Sequence, residues 1–382
     1  MRRLRFGMVG GGIGAYIGDS HRFGAQMNDL SQLCAGCFSR DPEKNRRTAQ
    51  LWNMPDMDRV YASWQEMAEK EAEREDGIDF VTIVTPNDTH YAIARAFMEK
   101  GIHVLCDKPL TLTVEEAEDL ERIAKEKDLL FGLSYAYTAY PVIHQARKMI
   151  ESGTIGDILH VRVGHPEEWV IDSVPEEPDG KPLGWRFQPE HGGPSLCTSD
   201  IGCHAEQLLV QFTGLHIQRV LAMLDRYPRY LEQETNTTVL LDLGSGITGD
   251  LWASQIAIGK SCDPYIFVIG SKGSLEWNHR NPDDLLYTPR NCPTQRMEAG
   301  KSYMGETCNR YARVDAGHHI GFYEAFGNIY KAFCEALVAK LNDSSSYNYD
   351  FPTIHEGVDS VRFIKACLES QHQGNSWIAL KR

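Results

Sequence analysis

The sequence has 382 residues and a formal net charge of −14 at pH 7, with a composition typical of a globular protein. A chain of this length exceeds one ordinary hydrophobic core, so we expect two domains. The acidic balance argues against nucleic acid and anionic membranes as partners, because both bind basic surfaces. No apolar run approaches the ~18 residues of a membrane span, and none at the start is like a signal peptide, so we expect a cytoplasmic protein.

The first predicted strand, Leu4 to Val9, leads directly into a glycine-rich loop. The loop matches the dinucleotide-binding pattern G-x-G-x-x-G/A through Gly10, Gly12 and Ala15. In this pattern the first glycine permits a tight turn, the second lets a pyrophosphate approach the backbone, and the small third residue lets the next helix pack closely. The N-terminus of that helix would then bind the phosphates. The loop residues predicted to contact the cofactor are Gly10, Gly12, Ile13, Gly14 and Ala15.

A second strand, Leu33 to Phe38, is followed by Ser39, Arg40 and Asp41. An acidic residue at this point would bind the ribose 2′-hydroxyl of NAD, whereas an arginine would accommodate the 2′-phosphate of NADP. Asp41 precedes proline and glutamate, an order that favours a helix N-cap. Ser39 and Arg40 then occupy the ribose position, and this favours NADP over NAD.

The second strand also contains a C-x-x-C pair, Cys34 and Cys37. Residues three apart in a strand point to opposite faces, and no second pair follows at zinc-ligand spacing. We therefore predict that both cysteines belong to the core. The ten cysteines of the chain are scattered, which favours reduced thiols over a disulfide framework.

Two further strands, Ile78 to Val84 and His103 to Cys106, each end in a polar turn. The candidate residues of these turns are Thr85, Pro86, Asn87, His90, Asp107 and Lys108. Strands alternate with helices throughout this half, and this predicts a parallel, doubly wound sheet whose strand ends meet at one edge. A lysine at that edge points to where such sheets bind ligands. The alternative is an exposed lysine at the end of a strand.

The glycine loop, the Thr85-Pro86-Asn87 turn with His90, and the Lys108-Pro109 pair, in this order, resemble the Gfo/Idh/MocA family of oxidoreductases, which includes glucose-fructose oxidoreductase and inositol dehydrogenase. The resemblance implies an α/β fold: a Rossmann domain at 1–134 and, at 135–382, an α+β domain on a large open sheet. It also implies that the six turn residues contact the cofactor. The family's Glu-Lys-Pro is Asp-Lys-Pro here, a departure at Asp107 that keeps the lysine.

The second half begins with a tyrosine-rich linker that contains Tyr137. Because tyrosine is amphipathic, the linker either lines the substrate cleft or packs between the domains. A loop rich in proline and glycine, Trp169 to Gly193, contains Trp185 and Arg186. Long ordered loops in enzymes are often binding loops, so we predict substrate contacts for Tyr137, Trp185 and Arg186.

A helix is predicted to begin with Ser199 as its N-cap and to run to Phe212. Asp200 and His204 are four residues apart and so share one face of it. A carboxylate and an imidazole together can orient a hydroxyl and remove its proton, with the histidine as base; the alternative is a surface salt pair. The pattern Trp-Arg…Gly-Gly…Asp-x-Gly-x-His is similar to the substrate-domain signature of the family. That resemblance implies Lys108, Asp200 and His204 as the catalytic residues.

Six short strands are predicted between residues 217 and 287, and their hairpin-scale loops indicate a mostly antiparallel sheet. One face should cover helices, and the other suits the interface of a homo-dimer or homo-tetramer. Residues 289–313 are predicted to form an irregular exposed excursion. His318 and His319 lack a carboxylate or cysteine at ligand spacing, so we expect no metal there and a substrate contact by His318. The last helix, near 355–371, is a candidate to pack back on the first domain.

Together these features predict an NAD(P)-dependent dehydrogenase of a sugar, polyol or cyclitol. His204 would take the hydroxyl proton, Lys108 would polarise the reacting oxygen, and Asp200 would orient the histidine or a neighbouring hydroxyl. Two alternatives stay open. One is an enzyme that keeps and recycles its cofactor while it performs elimination or hydrolysis of a glycoside. The other is a non-catalytic, cofactor-dependent sugar sensor, against which the intact trio argues.

Overall fold

The structure is a computed structural model that describes residues 2–181, 183–342, 344 and 348–381. The chain divides into two compact units. The N-terminal unit contains Met1–Ala136 and Phe322–Val358, and the C-terminal unit contains Tyr137–Gly321 and Asp359–Arg382. The first division lies close to the predicted boundary after residue 134. The segment Phe322–Val358, which the sequence analysis assigned to the second domain, belongs to the first unit. The sequence could not reveal this, because the pattern of a helix does not identify the distant helix on which it packs.

The secondary structure comprises fourteen strands and twelve α-helices within the described residues. The strands are β1 Leu4–Gly10, β2 Ser31–Cys37, β3 Phe80–Val84, β4 His103–Cys106, β5 Phe131–Leu133, β6 Ile158–Pro166, β7 Arg219–Asp225, β8 Asn236–Asp242, β9 Thr248–Ser254, β10 Tyr265–Gly270, β11 Gly273–Asn278, β12 Asp284–Pro289, β13 Gln295–Glu298 and β14 Ile378–Ala379. The helices are α1 Gly18–Gln26, α2 Pro42–Leu51, α3 Trp64–Glu73, α4 His90–Glu99, α5 Val114–Glu126, α6 Pro141–Glu151, α7 Trp169–Ser173, α8 Pro189–Gly192, α9 Cys203–Thr213, α10 Glu306–Tyr311, α11 Phe322–Leu341 and α12 Ile354–His372.

The N-terminal unit is built on a five-stranded sheet in the order β2-β1-β3-β4-β5, with every pair parallel. All five residues of β3 and all four of β4 are buried. Strands that are buried along their whole length need helices on both faces of the sheet, and this is the doubly wound arrangement that the alternating pattern predicts. The prediction of a parallel Rossmann sheet is confirmed.

Local signals define where the helices of this unit begin. The Asp41 carboxylate accepts hydrogen bonds from the backbone N–H groups of Glu43 and Lys44, and Pro42 occupies the first turn of α2. Thr113 caps α5 by accepting a hydrogen bond from Glu116 N. Both are standard ways to satisfy the first N–H groups of a helix, and the Asp41 cap was predicted.

Helix α11 packs on α1 although some 300 residues separate them in the chain. Gly24 makes the approach close, because a Cβ atom built there would lie 2.8 Å from Phe326 Cβ. The Phe326 ring also lies edge-on to the His21 ring, with centroids 4.9 Å apart. The core of the N-terminal unit is therefore completed by a helix from the far part of the sequence.

The C-terminal unit is built on a nine-stranded sheet in the order β13-β12-β11-β10-β6-β9-β8-β7-β14. Strands β6 and β9 are parallel, and every other neighbouring pair is antiparallel. Along β8 buried and exposed residues alternate, as expected when one face meets helices and the other does not. Helix α9 contacts β6, β9 and β10 on the covered face. The prediction of a large, mostly antiparallel sheet is confirmed.

Residues 289–313 are more ordered than predicted. Strand β13 pairs with β12 at the edge of the large sheet, and α10 packs on α6 with Cys308 and Tyr311 buried. The prediction of an irregular excursion is wrong because β13 is a short polar strand, Gln-Arg-Met-Glu, whose charges suit a sheet edge and give no apolar alternation.

The ten cysteines are free thiols, and Cys34 and Cys37 are buried in β2 as core residues. Burial raises the pKa of the Cys37 thiol to about 11, so it stays protonated near neutral pH. Among the described residues, no helix has both the length and the apolar character needed to cross a membrane.

Candidate functional site

The glycine loop after β1 has a backbone that only glycine accommodates easily. Gly10, Gly11 and Gly14 have φ angles of +81°, +69° and +79°, a region that other residues enter at a cost. A Cβ atom at Gly10 would lie 2.2 Å from the carbonyl oxygen of Val84. The loop therefore lies directly against the end of β3, as expected where parallel strand ends form a binding edge.

The position that lets the first helix approach the loop is Gly18 and not Ala15. Helix α1 begins at Gly18, and a Cβ atom there would lie 1.8 Å from the Gly11 carbonyl oxygen. Ala15 is exposed and lies before the helix, in a turn closed by a hydrogen bond from its N–H to Gly12 O. The role assigned to Ala15 by the pattern is wrong, because the loop is three residues longer than the pattern assumes.

The loop fits the diphosphate of a dinucleotide. A Cβ atom at Gly14 would have no heavy atom within 4 Å, so open space faces the backbone where phosphate oxygens would lie. The first N–H groups of α1 have no partner within the helix, and its positive dipole end is at the same place. Ile13 N donates to Thr48 Oγ1 at 3.2 Å, which fixes the loop from the side of α2.

The ribose end of the site has the features expected from the sequence. Arg40 is exposed, whereas the Asp41 carboxylate is used as the cap of α2. Ser39 Oγ accepts a hydrogen bond from Asp41 N at 3.2 Å. The Asp41 carboxylate is thus occupied by hydrogen bonds within the protein, and the exposed Arg40 guanidinium is the charged group at this position that faces solvent.

His90 connects two of the predicted turns. Its Nδ1 atom lies 2.8 Å from Pro109 O, and its Nε2 atom lies 3.0 Å from Thr85 O. Burial lowers the pKa of His90, which favours the neutral imidazole. Residues Asn87–Thr89 form a 3₁₀ turn that leads into α4. His90 thus has a structural task at the strand ends, between the Thr85 turn and the turn that contains Lys108.

Asp107 fixes the chain at Lys108. The carboxylate accepts hydrogen bonds from Lys108 N at 2.9 Å and from Ser134 Oγ at 2.7 Å, both at Oδ1. His21 Nε2 lies 3.9 Å from the same oxygen. Burial opposes ionisation of Asp107, but His21, Lys108 and Ser134 outweigh it and lower its pKa below the ordinary value. An anion therefore stands next to the catalytic lysine candidate, and the Lys108-Pro109 peptide bond that follows is cis.

In the C-terminal unit, Asp200 and His204 lie on a continuous helical segment that begins earlier than predicted. A π-helical turn, Thr198–Gly202, runs directly into α9. The Glu234 carboxylate accepts hydrogen bonds from Ser195 Oγ and from both Thr198 N and Thr198 Oγ1. Ser199 is not the N-cap, since its hydroxyl donates to Ser195 O. The prediction missed this because the capping carboxylate comes from a residue 36 positions away.

Asp200 is held by two residues of its own unit. Gln255 Nε2 donates to Asp200 Oδ2 at 3.0 Å, and Arg186 Nε lies 3.9 Å from Oδ1. The Arg186 guanidinium stacks on the Trp185 ring, with 4.7 Å between Cζ and the ring centroid. The predicted binding loop and the predicted catalytic carboxylate are therefore brought together.

His204 is 9% exposed and lies in a wall of aromatic rings. The Tyr137 ring is edge-on to His204, with centroids 4.9 Å apart, and edge-on to His165 at 5.0 Å. The Tyr137 hydroxyl lies 2.8 Å from Cys262 Sγ, and that sulfur lies 3.6 Å from His165 Nε2. Tyr137 therefore belongs to the surroundings of His204, and its contact with the substrate stays a prediction.

His165, Glu167 and Cys262 form a cluster that the sequence analysis missed. One potential ligand atom from each lies within 4.8 Å of the others. Burial raises the pKa of the Cys262 thiol to about 11, so the protonated thiol is the favoured form. Signals for this cluster are weak in the sequence because His165 is on β6, Glu167 follows that strand, and Cys262 is in a distant loop.

His318 is exposed and contacts its own loop. Its Nδ1 atom lies 3.1 Å from Asp315 O, and the described residues give it no contact with Asp200, His204 or Arg186. His319 instead pairs with Asp283, with 3.0 Å between Nδ1 and Oδ2. The structure therefore does not bring His318 to the other predicted substrate residues of its unit.

Comparisons with known proteins decide the family. Residues 4–135 match the model of an oxidoreductase family with an NAD-binding Rossmann fold, and residues 143–276 match a GFO/IDH/MocA C-terminal domain. The protein belongs to the Gfo/Idh/MocA oxidoreductase family. The resemblance stated from the three ordered motifs is thereby confirmed.

Several Gfo/Idh/MocA proteins are similar along the whole chain. "Uncharacterized oxidoreductase YfiI" of Bacillus subtilis (strain 168) is 34% identical over 387 residues, which cover 99% of this chain and 97% of that protein. The crystal structure of an inositol dehydrogenase homolog from Azotobacter vinelandii complexed with NAD+ is 34% identical, has a TM-score of 0.93, and covers 99% of this chain and 97% of that one. An inositol dehydrogenase homolog from Azotobacter vinelandii complexed with NADH and myo-inositol is 32% identical, has a TM-score of 0.89, and covers 99% of this chain and 98% of that one.

Membership of the Gfo/Idh/MocA family makes this protein an oxidoreductase that binds NAD(P) in its Rossmann unit. The glycine loop against the end of β3 is where its geometry fits the diphosphate. Family membership leaves the substrate, the cofactor preference and the roles of individual residues as questions for this chain's own geometry.

Proposed function

We propose that this protein is an NAD(P)-dependent dehydrogenase that oxidises a hydroxyl of a sugar, polyol or cyclitol, or reduces the matching ketone. One observation carries the proposal. Asp200 and His204 lie on one helical segment, with Asp200 held by Gln255 and Arg186 and with His204 beside Tyr137. The complex of the similar inositol dehydrogenase homolog with NADH and myo-inositol supports a polyol as the substrate class.

In this proposal the protein's residues manage the proton and the charge. When bound, NAD(P) accepts the hydride that leaves the substrate carbon. His204 takes the hydroxyl proton at a ring nitrogen, and the Lys108 ammonium stabilises the negative charge that develops on the oxygen as the carbonyl forms. The Asp200 carboxylate accepts a hydrogen bond from a neighbouring hydroxyl, and Arg186, Trp185 and Tyr137 surround the substrate.

We further propose that NADP is the preferred cofactor. Arg40 is exposed at the ribose end, and Asp41, which would select NAD, is used as a helix cap. An arginine there would pair with the 2′-phosphate of NADP. The similar homolog is described with NAD+ and NADH, so the two cofactors have to be compared directly.

The outer face of the large sheet supports a homo-oligomer as a further part of the proposal. Leu240 on β8 faces Leu221 on β7 across the ladder, and Met223 lies two residues along the same face. Leu240 is 48% exposed and Met223 is 52% exposed. Adjacent apolar side chains on an open sheet face favour contact with a second copy.

Ten free thiols fit a reducing compartment such as the cytoplasm.

The test is a steady-state assay with a panel of sugars, polyols and cyclitols and with both cofactors. Lys108→Ala and His204→Ala should each reduce kcat by ~10²-fold or more. The first removes the charge that stabilises the reacting oxygen, and the second removes the base that takes its proton. The control is Lys125→Ala, an exposed lysine of α5. Unchanged turnover in both site variants would contradict the mechanism.

The same assay separates the two alternatives. Accumulation of free NAD(P)H is expected for the dehydrogenase. Conversion of a glycoside without accumulation would indicate a recycling enzyme, and sugar binding without conversion would indicate a sensor.

A further inference from the structure

A chain of polar groups runs through the interior of the N-terminal unit behind Lys108. His21 on α1 is fully buried, and its Nε2 atom lies 3.9 Å from Asp107 Oδ1. On the other side of the ring, Nδ1 lies 2.8 Å from the Tyr330 hydroxyl of α11. That hydroxyl lies 3.1 Å from Thr82 Oγ1 on β3. Residues of α1, α11 and β3, with the turn that follows β4, thus form one path that ends at the carboxylate beneath Lys108.

The distances permit one consistent placement of the hydrogens. Burial raises the pKa of Tyr330 well above its ordinary value, so the phenol keeps its proton and can donate to His21 Nδ1. The Thr82 hydroxyl then donates to the Tyr330 oxygen. The imidazole is left with its hydrogen on Nε2, which faces the Asp107 carboxylate. The Thr82 and Tyr330 hydrogens each have an acceptor, whereas His21 Nε2, at 3.9 Å from Asp107 Oδ1, is beyond hydrogen-bond distance, so the ring acts on the carboxylate electrostatically.

Asp107 passes this arrangement on to the lysine. Its Oδ1 atom accepts the Lys108 backbone N–H and the Ser134 hydroxyl, so its position sets where the chain leaves β4.

We propose that His21 and Tyr330 are positioning residues that orient the Asp107 carboxylate and, through it, Lys108 for the reaction. The inference rests on the proposed function, because it assigns His21 a role only through Lys108. His21 touches neither the substrate nor the cofactor in this account. If His21 had only a packing role, any ring of similar volume could replace it without loss of kcat. A positioning role predicts a loss of kcat, and this difference can be measured.

The experiment compares three substitutions at the two middle residues of the path, His21 and Tyr330. His21→Phe keeps the ring volume and removes both nitrogens, and kcat is expected to fall about tenfold. His21→Gln places an amide N–H near the position of Nε2, so it should recover most of kcat. Tyr330→Phe removes only the hydroxyl that orients the ring and should give a smaller loss of kcat. The dissociation constant of NADP and the unfolding midpoint are measured for each variant.

The control is His103→Phe, which replaces another buried histidine in the same unit, at the opposite end of β4. His103→Phe should lower the stability and leave kcat unchanged. His21→Phe, by contrast, should lower kcat, and His21→Gln should restore most of it. Equal kcat in folded His21→Phe and wild type, or no recovery with His21→Gln, would overturn the proposal. If His21→Phe does not fold, the effect of Tyr330→Phe on kcat decides: unchanged kcat overturns it. Lys108→Ala, assayed in parallel, tells the two failures apart, because full turnover there refutes the proposed function itself.

Discussion

The amide of Gln255 donates a hydrogen bond to the Asp200 carboxylate, with 3.0 Å between Nε2 and Oδ2. Gln255 follows β9 directly, and its own backbone N–H is fixed to Thr235 O. The side chain that orients Asp200 is therefore tied to the large sheet. This relationship makes a residue outside all the sequence motifs part of the candidate site.

Gln255→Ala should reduce kcat/KM by about tenfold or more, since a hydrogen bond to a charged group contributes ~1.5–3 kcal/mol. The measurement is steady-state kinetics with the best substrate of the panel. Gln218→Ala is the matched control, because the Gln218 amide is exposed and donates to His216 O. Equal kcat/KM values for the two variants would show that Asp200 does not depend on Gln255.

Arg40→Ala should raise the dissociation constant of NADP by about tenfold and leave that of NAD nearly unchanged, because only NADP has the 2′-phosphate that a charge-assisted contact would bind. Fluorescence titration of both cofactors measures this. Arg122→Ala, an exposed arginine on α5, controls for loss of positive charge. If wild type binds NAD more tightly than NADP, Arg40 does not select the cofactor.

His103 should make stability depend on pH. Burial lowers its pKa to about 4, below the ~6.5 of a free histidine. The folded state therefore binds fewer protons than the unfolded state between these values, so its stability is full above pH ~6.5 and declines as pH falls to about 4. The decline amounts to ~3 kcal/mol.

His103→Asn tests this directly. The asparagine oxygen can accept the Leu130 N–H that His103 Nδ1 accepts now, but it does not titrate. The unfolding midpoint of this variant should fall less than that of wild type between pH 7 and pH 4.5. His318→Asn, at an exposed histidine, should follow wild type. Parallel curves for all three proteins would refute the assignment.

Removal of divalent metals should leave turnover unchanged. His165, Glu167 and Cys262 are close enough to hold an ion, but the Tyr137 hydroxyl already lies 2.8 Å from the sulfur, and the proposed chemistry needs no metal. Dialysis against EDTA followed by the standard assay checks this. Loss of activity that zinc restores in wild type, with no such response in Cys262→Ser, would instead assign a metal site to the cluster.

The sequence predicted the features that depend on local pattern. The Gly10 turn, the Asp41 cap and the placing of Lys108 after a buried strand all follow from short-range rules about glycine, proline and strand ends. Arg186 lies beside Asp200 and Tyr137 beside His204, while the assignment of all four to the site stays a prediction.

What the sequence did not reveal depends on contacts over long separations. Glu234 caps the segment of Asp200 from 36 residues away, and Tyr330 reaches His21 across 309 residues. Neither has a spacing that a periodic pattern could detect. Gly18 was missed for a different reason: the fixed G-x-G-x-x-G/A spacing ends before the longer loop does, so the close approach of helix to loop falls outside the pattern.

The packing of α11 on α1 has a consequence for how the protein is made. The N-terminal unit cannot complete its core while only its first 136 residues have left the ribosome, because Phe326 and Tyr330 are still unsynthesised. The C-terminal sheet, whose strands β6 to β13 are continuous in sequence, emerges before that helix. The C-terminal unit also ends on residues made last, Asp359–Arg382 with strand β14, so neither unit is complete until synthesis is nearly finished, and the N-terminal domain cannot simply fold first. The surface of α1 that carries His21 and Gly24 therefore stays uncovered until α11 has been made.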